Sequence, residues 1–100
     1  MNIEEIRLAV TDGRIRWSEH CLERMRIRKI PAQRVLDCIT NGEIIKEYPE
    51  DKPHPSCLIY DNNSLDVVHI VVGVSEIYVY MITAYRPNLN IFNDDLKTRR

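Results

Sequence analysis

The fold is decided by the stretch LDVVHIVVGVSEIYVYMITAY, residues 65–85. It contains two runs rich in β-branched and aromatic residues, which are typical of strands, separated only by Ser75 and Glu76. So short a connection favours antiparallel pairing, because parallel strands need a crossover of a dozen or more residues. The stretch therefore predicts two long neighbouring strands of an antiparallel meander.

Two further strands are predicted upstream of this pair. Residues 43–48 and 56–60 have strand character, and the loop at 51–55 between them contains two prolines. The four residues DNNS at 61–64 have the composition of a turn. The sequence thus predicts about four antiparallel strands from residue 43 onward.

Three helices are predicted before these strands. Residues 3–11 and 19–29 have helical periodicity, and Pro31 suits the opening of a third helix, since proline is favoured at the first helical position. Residues 14–17 predict either a short extended link or an edge strand. The tail, residues 88–100, is expected to add a last short helix and then fray.

The predicted fold class is α+β, with N-terminal helices packed on a roughly four-stranded antiparallel sheet in two layers. A chain of 100 residues is expected to form a single domain over residues 1–100. No run approaches the about 18 apolar residues of a transmembrane helix, and the N-terminus lacks the pattern of a signal peptide. We therefore expect a cytoplasmic protein without membrane contact.

The cysteines argue against both disulfides and metal. Cys21, Cys38 and Cys57 are odd in number and widely spaced, which is typical neither of a disulfide framework nor of a zinc ribbon. His54 lies near Cys57 in the sequence, but two ligands do not make a zinc site. We expect no metal site and no cofactor, and we interpret Cys57 as a small core residue.

Charge is unevenly distributed along the chain. The net charge is −1, which argues against a general nucleic-acid coat protein. Residues 14–34 carry seven basic and two acidic side chains, whereas residues 43–66 carry two basic and six acidic ones. One basic element could therefore steer a polyanion to an otherwise acidic protein.

The segment most suggestive of function is residues 18–31. Ser18 is a good helix cap, and the helix places His20, Arg24 and Arg28 at i, i+4 and i+8, along one stripe. The side of the helix next to this stripe is predicted to be apolar and buried. It consists of Cys21, Leu22 and Met25. The stripe is therefore expected at the edge of the buried face.

This combination of residue types suits phosphodiester chemistry. Histidine titrates near neutral pH, and arginine binds phosphate through two N–H groups at once. Cleaving RNA without metal requires a base for the 2′-hydroxyl, an acid for the leaving 5′-oxygen and cations on the phosphorane. The stripe would supply these cations and one proton-transfer group, with Arg26 as a secondary contact. The alternative is a solvated basic helix face, which is common.

His69 is the second candidate for proton transfer. It is the only polar residue between Val67 and Val74, and a buried imidazole must find a partner. Either it is a core or edge histidine satisfied by a neighbouring hydroxyl, or it is a second acid or base or a positioning group for His20. Tyr85, on the following strand, would stack on a base or donate a proton.

The last strand is predicted to carry different residues on its two faces. The period of two places Met81, Thr83 and Tyr85 on one face. Tyr78 and Tyr80 share the other face, which suits packing under the helices or a partner surface equally well.

Several short segments together resemble a known family. Their order and spacing over about residues 15–88 are similar to those of a small bacterial domain-of-unknown-function family grouped with the RelE/ParE-like toxins of the barnase, EndoU, colicin and RelE superfamily. The main segments are Trp17 to His20, Arg24-Met25, Gly42 to Ile45, His69 to Val72 and Ile82 to Tyr85.

The resemblance implies an α+β fold and a toxin of a type II toxin–antitoxin pair. Related RelE-type toxins cleave mRNA without metal, commonly on the ribosome, and the implied antitoxin resembles the zinc-finger protein MqsA. ParE-type relatives poison gyrase instead, so the fold does not settle the activity. The family's recurring positions fall on His20, Arg24, Arg28, His69 and Tyr85. The net charge of −1 departs from the strongly basic RelE toxins.

Three functions are therefore open from the sequence. The first is a metal-independent endoribonuclease toxin that acts on RNA. The second is a non-catalytic module that binds an antitoxin or gyrase, which a stable stoichiometric complex without turnover would reveal. The third is an inactive toxin homologue that keeps the fold for regulation only.

Overall fold

The computed structural model describes residues 1–62 and 66–88. Within them, three helices lie on one face of a five-stranded mixed sheet, so the predicted α+β class is confirmed. The helices are α1 (Ile3–Thr11), α2 (Glu19–Arg28) and α3 (Ala32–Asn41). The strands are β1 (Ile15–Trp17), β2 (Glu43–Tyr48), β3 (Ser56–Asp61), β4 (Val68–Val74) and β5 (Val79–Tyr85).

The sheet has the order β1-β5-β4-β3-β2. Strands β2 to β5 form the predicted antiparallel meander. The expectation of about four antiparallel strands is wrong in one respect, because β1 adds a fifth strand that runs parallel to β5, with Ile15 paired to Val79. The connection from β1 to β5 includes α2, α3 and three strands, which is more than the length that a parallel pair requires.

The core lies between the helices and the sheet. α2 packs on β5, and α3 packs on β3 and β4. The three cysteines are all buried there. Burial raises the pKa of the thiol to about 11 for Cys21, to about 12 for Cys38 and to about 12 for Cys57. The interpretation of Cys57 as a core residue is therefore confirmed.

Local contacts fix the helix ends against the sheet. Arg7 on α1 donates from Nε to the carbonyl of Ile39 at 2.9 Å and from Nη2 to that of Gly42 at 2.8 Å, so it covers carbonyls at the end of α3. Gly42 itself lies against the carbonyls of Cys38 and Tyr60, where a Cβ would have no room. Close approach of β3 to the end of α3 therefore depends on this glycine.

A β-bulge at Ile82 interrupts β5. Thr83 pairs with Val71 and Met81 pairs with Val72, which leaves Ile82 as an extra residue. An extra residue switches the side chains that follow to the other face. Met81 and Ala84 are both buried against the helices, so Thr83 and Tyr85 face away from them. The prediction that Met81, Thr83 and Tyr85 share a face is therefore wrong.

Some expectations concern residues that the structure does not describe. The tail for which a last helix was predicted is residues 88–100, of which 89–100 are outside the described residues, as is Leu65, the predicted start of the long strand. In the described part of the chain, no helix has the length and apolar character needed to cross a membrane.

Candidate functional site

The helix that carries the predicted stripe has well-defined ends. Ser18 caps α2, because its Oγ accepts the N–H of Cys21 at 2.9 Å. At the other end Lys29 has a left-handed backbone with φ 55°, and the next residue, Ile30, donates its N–H to the carbonyl of Met25 at 2.9 Å. The start of α2 matches the predicted boundary, and its end lies one residue before the predicted residue 29.

The stripe crosses from the exposed side of α2 to the edge of its buried side. Positions four residues apart drift by about 40° around a helix of 3.6 residues per turn. Arg28 therefore reaches the sheet, and its Nη1 donates to the carbonyl of Ala84 at 2.8 Å. The side chains of His20 and Arg24 are exposed and make no hydrogen bond or ion pair with the described residues. The stripe is therefore bound to the sheet at its Arg28 end, which we call the anchored end, and its His20 end, which we call the free end, is exposed.

The carbonyl that Arg28 reaches lies on the outer edge of β5. β1 ends at Trp17, which pairs with Met81, so α2 covers the edge of β5 beyond this point. Ser18 Oγ lies 3.4 Å from the carbonyl oxygen of Ile82, to which it donates. From the bulge onward, the backbone carbonyls of even-numbered residues point to this edge, as those of Ile82 and Ala84 do. Because of the bulge, the carbonyl of Ala84 points to the edge where Arg28 binds it.

His20 lines a cleft of about 550 Å³ between the start of α2 and β5. The other lining residues are Arg16, Trp17, Ser18, Tyr80, Met81 and Ile82. An exposed imidazole in such a cleft can take a proton from a bound molecule or give one to it.

His69 has a different environment. It is fully buried, and it faces away from the helices because its neighbours Val68 and Ile70 are in the core. Its Nδ1 lies 3.3 Å from the hydroxyl of Tyr85, and the ring of Tyr60 meets its ring nearly edge-on at 5.7 Å. The neighbouring hydroxyl expected for a core histidine is thus present. Tyr85 is only half-buried, so it is the member of this pair that a ligand can reach.

The structure gathers these predicted residues at two points along β5. At its C-terminal end, Arg28 binds the carbonyl of Ala84 from the edge of the sheet, and the next residue, Tyr85, contacts His69 on the face away from the helices. His20 lies beside Ile82, three residues from Tyr85, which corresponds to about 10 Å along a strand. The two histidines are therefore not neighbours.

Two other predicted features lie apart from this edge. Arg26 is roughly 160° around the helix from both Arg24 and Arg28, and its Nη2 pairs with Glu23 Oε1 at 3.5 Å. The structure therefore does not bring Arg26 to the stripe. Leu22, predicted on the buried side of α2, is 48% exposed, because the buried side is narrower than expected and includes Cys21 and Met25.

Sequence reasoning missed a charged cluster that fixes the Arg28 end. Arg86 donates from Nε to Asp66 Oδ1 at 2.7 Å and from Nη1 to the carbonyl of Arg28 at 2.5 Å. Arg34 donates from Nη1 to Asp61 Oδ2 at 2.8 Å, and both side chains are 9% exposed. The pKa of Asp66 is lowered, mainly by the hydrogen bond from Arg86. No local pattern could reveal pairs so far apart in the sequence.

The residues considered as metal ligands separate in the fold. Cys57 is in the core, whereas the ring of His54 stacks on the ring of Tyr80 with 4.8 Å between centroids. Across residues 1–62 and 66–88, no three His, Cys, Asp or Glu side chains are placed to hold one metal ion.

The fold and the site define a small α+β domain in which a basic helix covers one edge of a mixed sheet. Residues 17–86 match the model of a family described as "Domain of unknown function (DUF4258)", and the chain belongs to this family. The match extends from β1 to the residue after β5 and includes the whole stripe. Comparisons with curated proteins and with solved structures gave no significant match.

Proposed function

We propose that this protein is a metal-independent endoribonuclease that acts as the toxin of a type II toxin–antitoxin pair. One observation carries the proposal: the exposed side chains of His20 and Arg24 have no hydrogen-bond or ion-pair partner among residues 1–62 and 66–88, and on α2 they continue the line of Arg28, which is bound to the edge of β5. Such side chains contribute little to the fold, so their placement favours a bound anion. The resemblance to RelE/ParE-like toxins rests on the sequence pattern and supports RNA as that anion.

The proposed reaction is an internal transfer within RNA. His20 takes the proton of a ribose 2′-hydroxyl, and the 2′-oxygen attacks the adjacent phosphorus. The bond from phosphorus to the 5′-oxygen of the next nucleotide breaks, and Tyr85 gives this oxygen a proton. The products are a 2′,3′-cyclic phosphate and a 5′-hydroxyl. Transfer of a proton from His20 back to Tyr85 through solvent restores both groups.

Arg24 and Arg28 would hold the reacting phosphate. Arg24 lies one helical turn from both His20 and Arg28, so its guanidinium falls between the proposed base and the anchored end of the stripe. Arg28 uses Nη1 for the carbonyl of Ala84, which leaves its other N–H groups for phosphate oxygens. Two guanidinium groups stabilise the charge of the phosphorane more than that of the ground-state diester.

His69 has a positioning role in this proposal. It has no exposed surface, so it acts on RNA only through the Tyr85 hydroxyl, 3.3 Å from its Nδ1. An imidazole behind the hydroxyl fixes the orientation of the phenol and takes part in its proton transfer. Substitution of His69 is therefore expected to reduce activity less than substitution of His20.

The proposed biological setting is the bacterial cytoplasm. The basic segment 14–34 would steer RNA to the edge of β5, although the net charge of the chain is −1. Ribosome-bound mRNA is the proposed substrate, since a second binding partner would compensate for weak attraction of free RNA. An antitoxin, of the MqsA-like zinc-finger type that the resemblance implies, would inhibit the protein by covering this edge.

Controlled expression in bacteria tests the proposal. We expect growth arrest on induction of the parent chain and normal growth with His20→Ala or Arg24→Ala at matched soluble levels. Arg26→Ala is the matched control, because it removes an arginine from the same helix on a different face. Equal arrest by the parent and His20→Ala would contradict the assignment, and so would the absence of arrest by the parent.

A further inference from the structure

A cluster of rings and one cation lies next to the His20 cleft. We call it the Tyr80 platform, and it consists of Arg16, His54, Tyr78 and Tyr80. The rings of His54 and Tyr80 are stacked, with centroids 4.8 Å apart and planes 9° apart. Tyr78 meets Tyr80 at 6.2 Å, and the guanidinium of Arg16 lies 4.0 Å from the centre of the Tyr78 ring. Arg16 Nη2 also donates to the Tyr78 hydroxyl at 2.8 Å.

The platform is open to ligands. All three rings are half-buried, and Arg16 is exposed. Tyr80 lines the His20 cleft, and together with His54 it also lines a smaller cleft of about 190 Å³, which includes Lys52 and Ile82. Since Tyr80 and Ile82 line both clefts, the clefts adjoin, and one ligand could occupy the platform and the His20 cleft together.

We infer that the Tyr80 platform is a base-stacking subsite for single-stranded RNA, next to the position of cleavage. The inference rests on the proposed function for the reaction itself. Aromatic side chains on which bases stack, set beside cations that meet the backbone, are the usual means of binding single strands without strong sequence preference. A base stacked on Tyr80 places the adjoining phosphodiester in the cleft that His20 lines.

The charges around the Tyr80 platform indicate the path of the bound RNA strand. Arg16 lies on the side of the platform that adjoins His20. On the other side, a cleft of about 730 Å³ is lined by Glu5 and Glu76 together with His54 and Tyr78. Carboxylates repel a phosphate backbone, so the strand runs from the platform toward His20 and not toward these acidic side chains.

Lys52 supplies a further cation on the path. It lines the smaller cleft beside His54, and the carboxylate in the same cleft, Asp51, is engaged by the Ser56 hydroxyl. Rings set beside Arg16 and Lys52 fit a nucleic acid strand, which brings both bases and phosphates, better than an apolar protein segment, which brings no phosphates to these two cations.

The inference is tested by measuring the binding of an RNA that the proposed reaction cannot cleave. The probe is a short, fluorescein-labelled, single-stranded RNA with 2′-O-methyl groups, which lacks the attacking hydroxyl. Anisotropy gives its Kd, and Trp17, the only tryptophan of the chain and part of the His20 cleft, provides a second fluorescence signal. We expect Tyr80→Leu to weaken binding by roughly 5- to 150-fold, the range for loss of one stacked base.

Tyr48→Leu is the matched control. Tyr48 also has a cation near its ring, Lys46 Nζ at 5.5 Å from the centre, but it lies on β2, at the opposite edge of the sheet. We expect its Kd to equal that of the parent. Circular dichroism and thermal unfolding of each variant establish that it is folded, and Tyr80→Phe, which keeps the ring, should bind nearly as tightly as the parent.

The possible results distinguish a failure of the subsite proposal from a failure of the nuclease proposal. A Kd that Tyr80→Leu does not change, equally tight binding of double-stranded RNA, or no RNA binding by the parent would overturn the subsite. Binding that depends on Tyr80 while unmodified RNA stays intact would support the subsite and contradict the nuclease. If the nuclease is active, Tyr80→Leu should raise KM far more than it lowers kcat.

Discussion

The two ends of α2 use their basic side chains differently. At the C-terminal end, Arg28 is bound to the carbonyl of Ala84, and Arg86 binds both the carbonyl of Arg28 and the carboxylate of Asp66. Toward the N-terminal end, His20 and Arg24 are exposed and have no such partner among the described residues. Side chains of one stripe can therefore differ in role, since those at one end stabilise the fold and those at the other remain accessible from solvent.

The largest effect on stability is expected from Arg34→Leu on α3, beside the anchored end, since Arg34 also donates to the carbonyl of Asp66, the partner of Arg86. This change leaves the buried carboxylate of Asp61 without its ion-pair partner, and breaking one side of a buried pair costs about 3–5 kcal/mol. Urea titration should show this decrease in the free energy of unfolding. The double variant Arg34→Leu with Asp61→Leu should recover the part of the loss that comes from the unpaired carboxylate, but not the part from the hydrogen bonds of Arg34 to the carbonyl of Asp66. A decrease below about 1 kcal/mol would contradict the importance given to this pair.

A smaller effect, dependent on pH, is expected from Asp66→Asn. The pKa of Asp66 is lowered in the fold, first by the hydrogen bond from Arg86. A lowered carboxyl pKa stabilises the fold above the unfolded value of about 3.9, and this stabilisation is lost as the pH falls through the folded value. The Asp66 side chain is 31% exposed, so we expect about 1 kcal/mol or less at pH 7.

Urea titrations of the parent and Asp66→Asn across this acidic range check the prediction. The two free energies of unfolding should differ at neutral pH and converge as the pH falls below about 4. A difference that stays constant with pH would show that the carboxylate charge of Asp66 does not stabilise the fold.

The smallest effect on stability is expected at the free end. Arg24→Ala should change the free energy of unfolding by less than about 0.5 kcal/mol, as is usual for exposed positions without partners. Arg26→Ala should also stay within this range, since its ion pair with Glu23 is exposed. The two variants should differ only in activity, which Arg24→Ala alone should lose. A large loss of stability in Arg24→Ala would mean that this end also holds the fold.

Much of the fold was predictable because its signals are local. The predicted helix at 19–29 corresponds to α2, Glu19–Arg28, and the predicted strand at 43–48 corresponds to β2. Parallel pairing of β1 with β5 was not predictable in the same way, because it joins residues more than 60 positions apart. The bulge at Ile82 was also missed, since the alternation of residues on β5 gives no sign of an inserted residue.

The candidate site was predictable only where one element contains it. The spacing of His20, Arg24 and Arg28 is a property of a single helix, and the structure brings the first and last of them to β5, beside Ile82 and at the carbonyl of Ala84. The contact of Arg28 with Ala84 and the stack of His54 on Tyr80 depend on tertiary packing. Periodicity carries no information about such contacts, which is why the Tyr80 platform and the Arg86 cluster required the structure.

The most direct test of the central claim is cleavage of single-stranded RNA by the purified chain in excess chelator, with analysis of the product ends. We expect a 2′,3′-cyclic phosphate and a 5′-hydroxyl, formed by the parent and by Arg26→Ala. His20→Ala should be slower by about 100-fold or more, as expected for loss of a general base. Cleavage at the parental rate by His20→Ala, or no cleavage by the parent with RNA or with mRNA on the ribosome, would contradict the central claim.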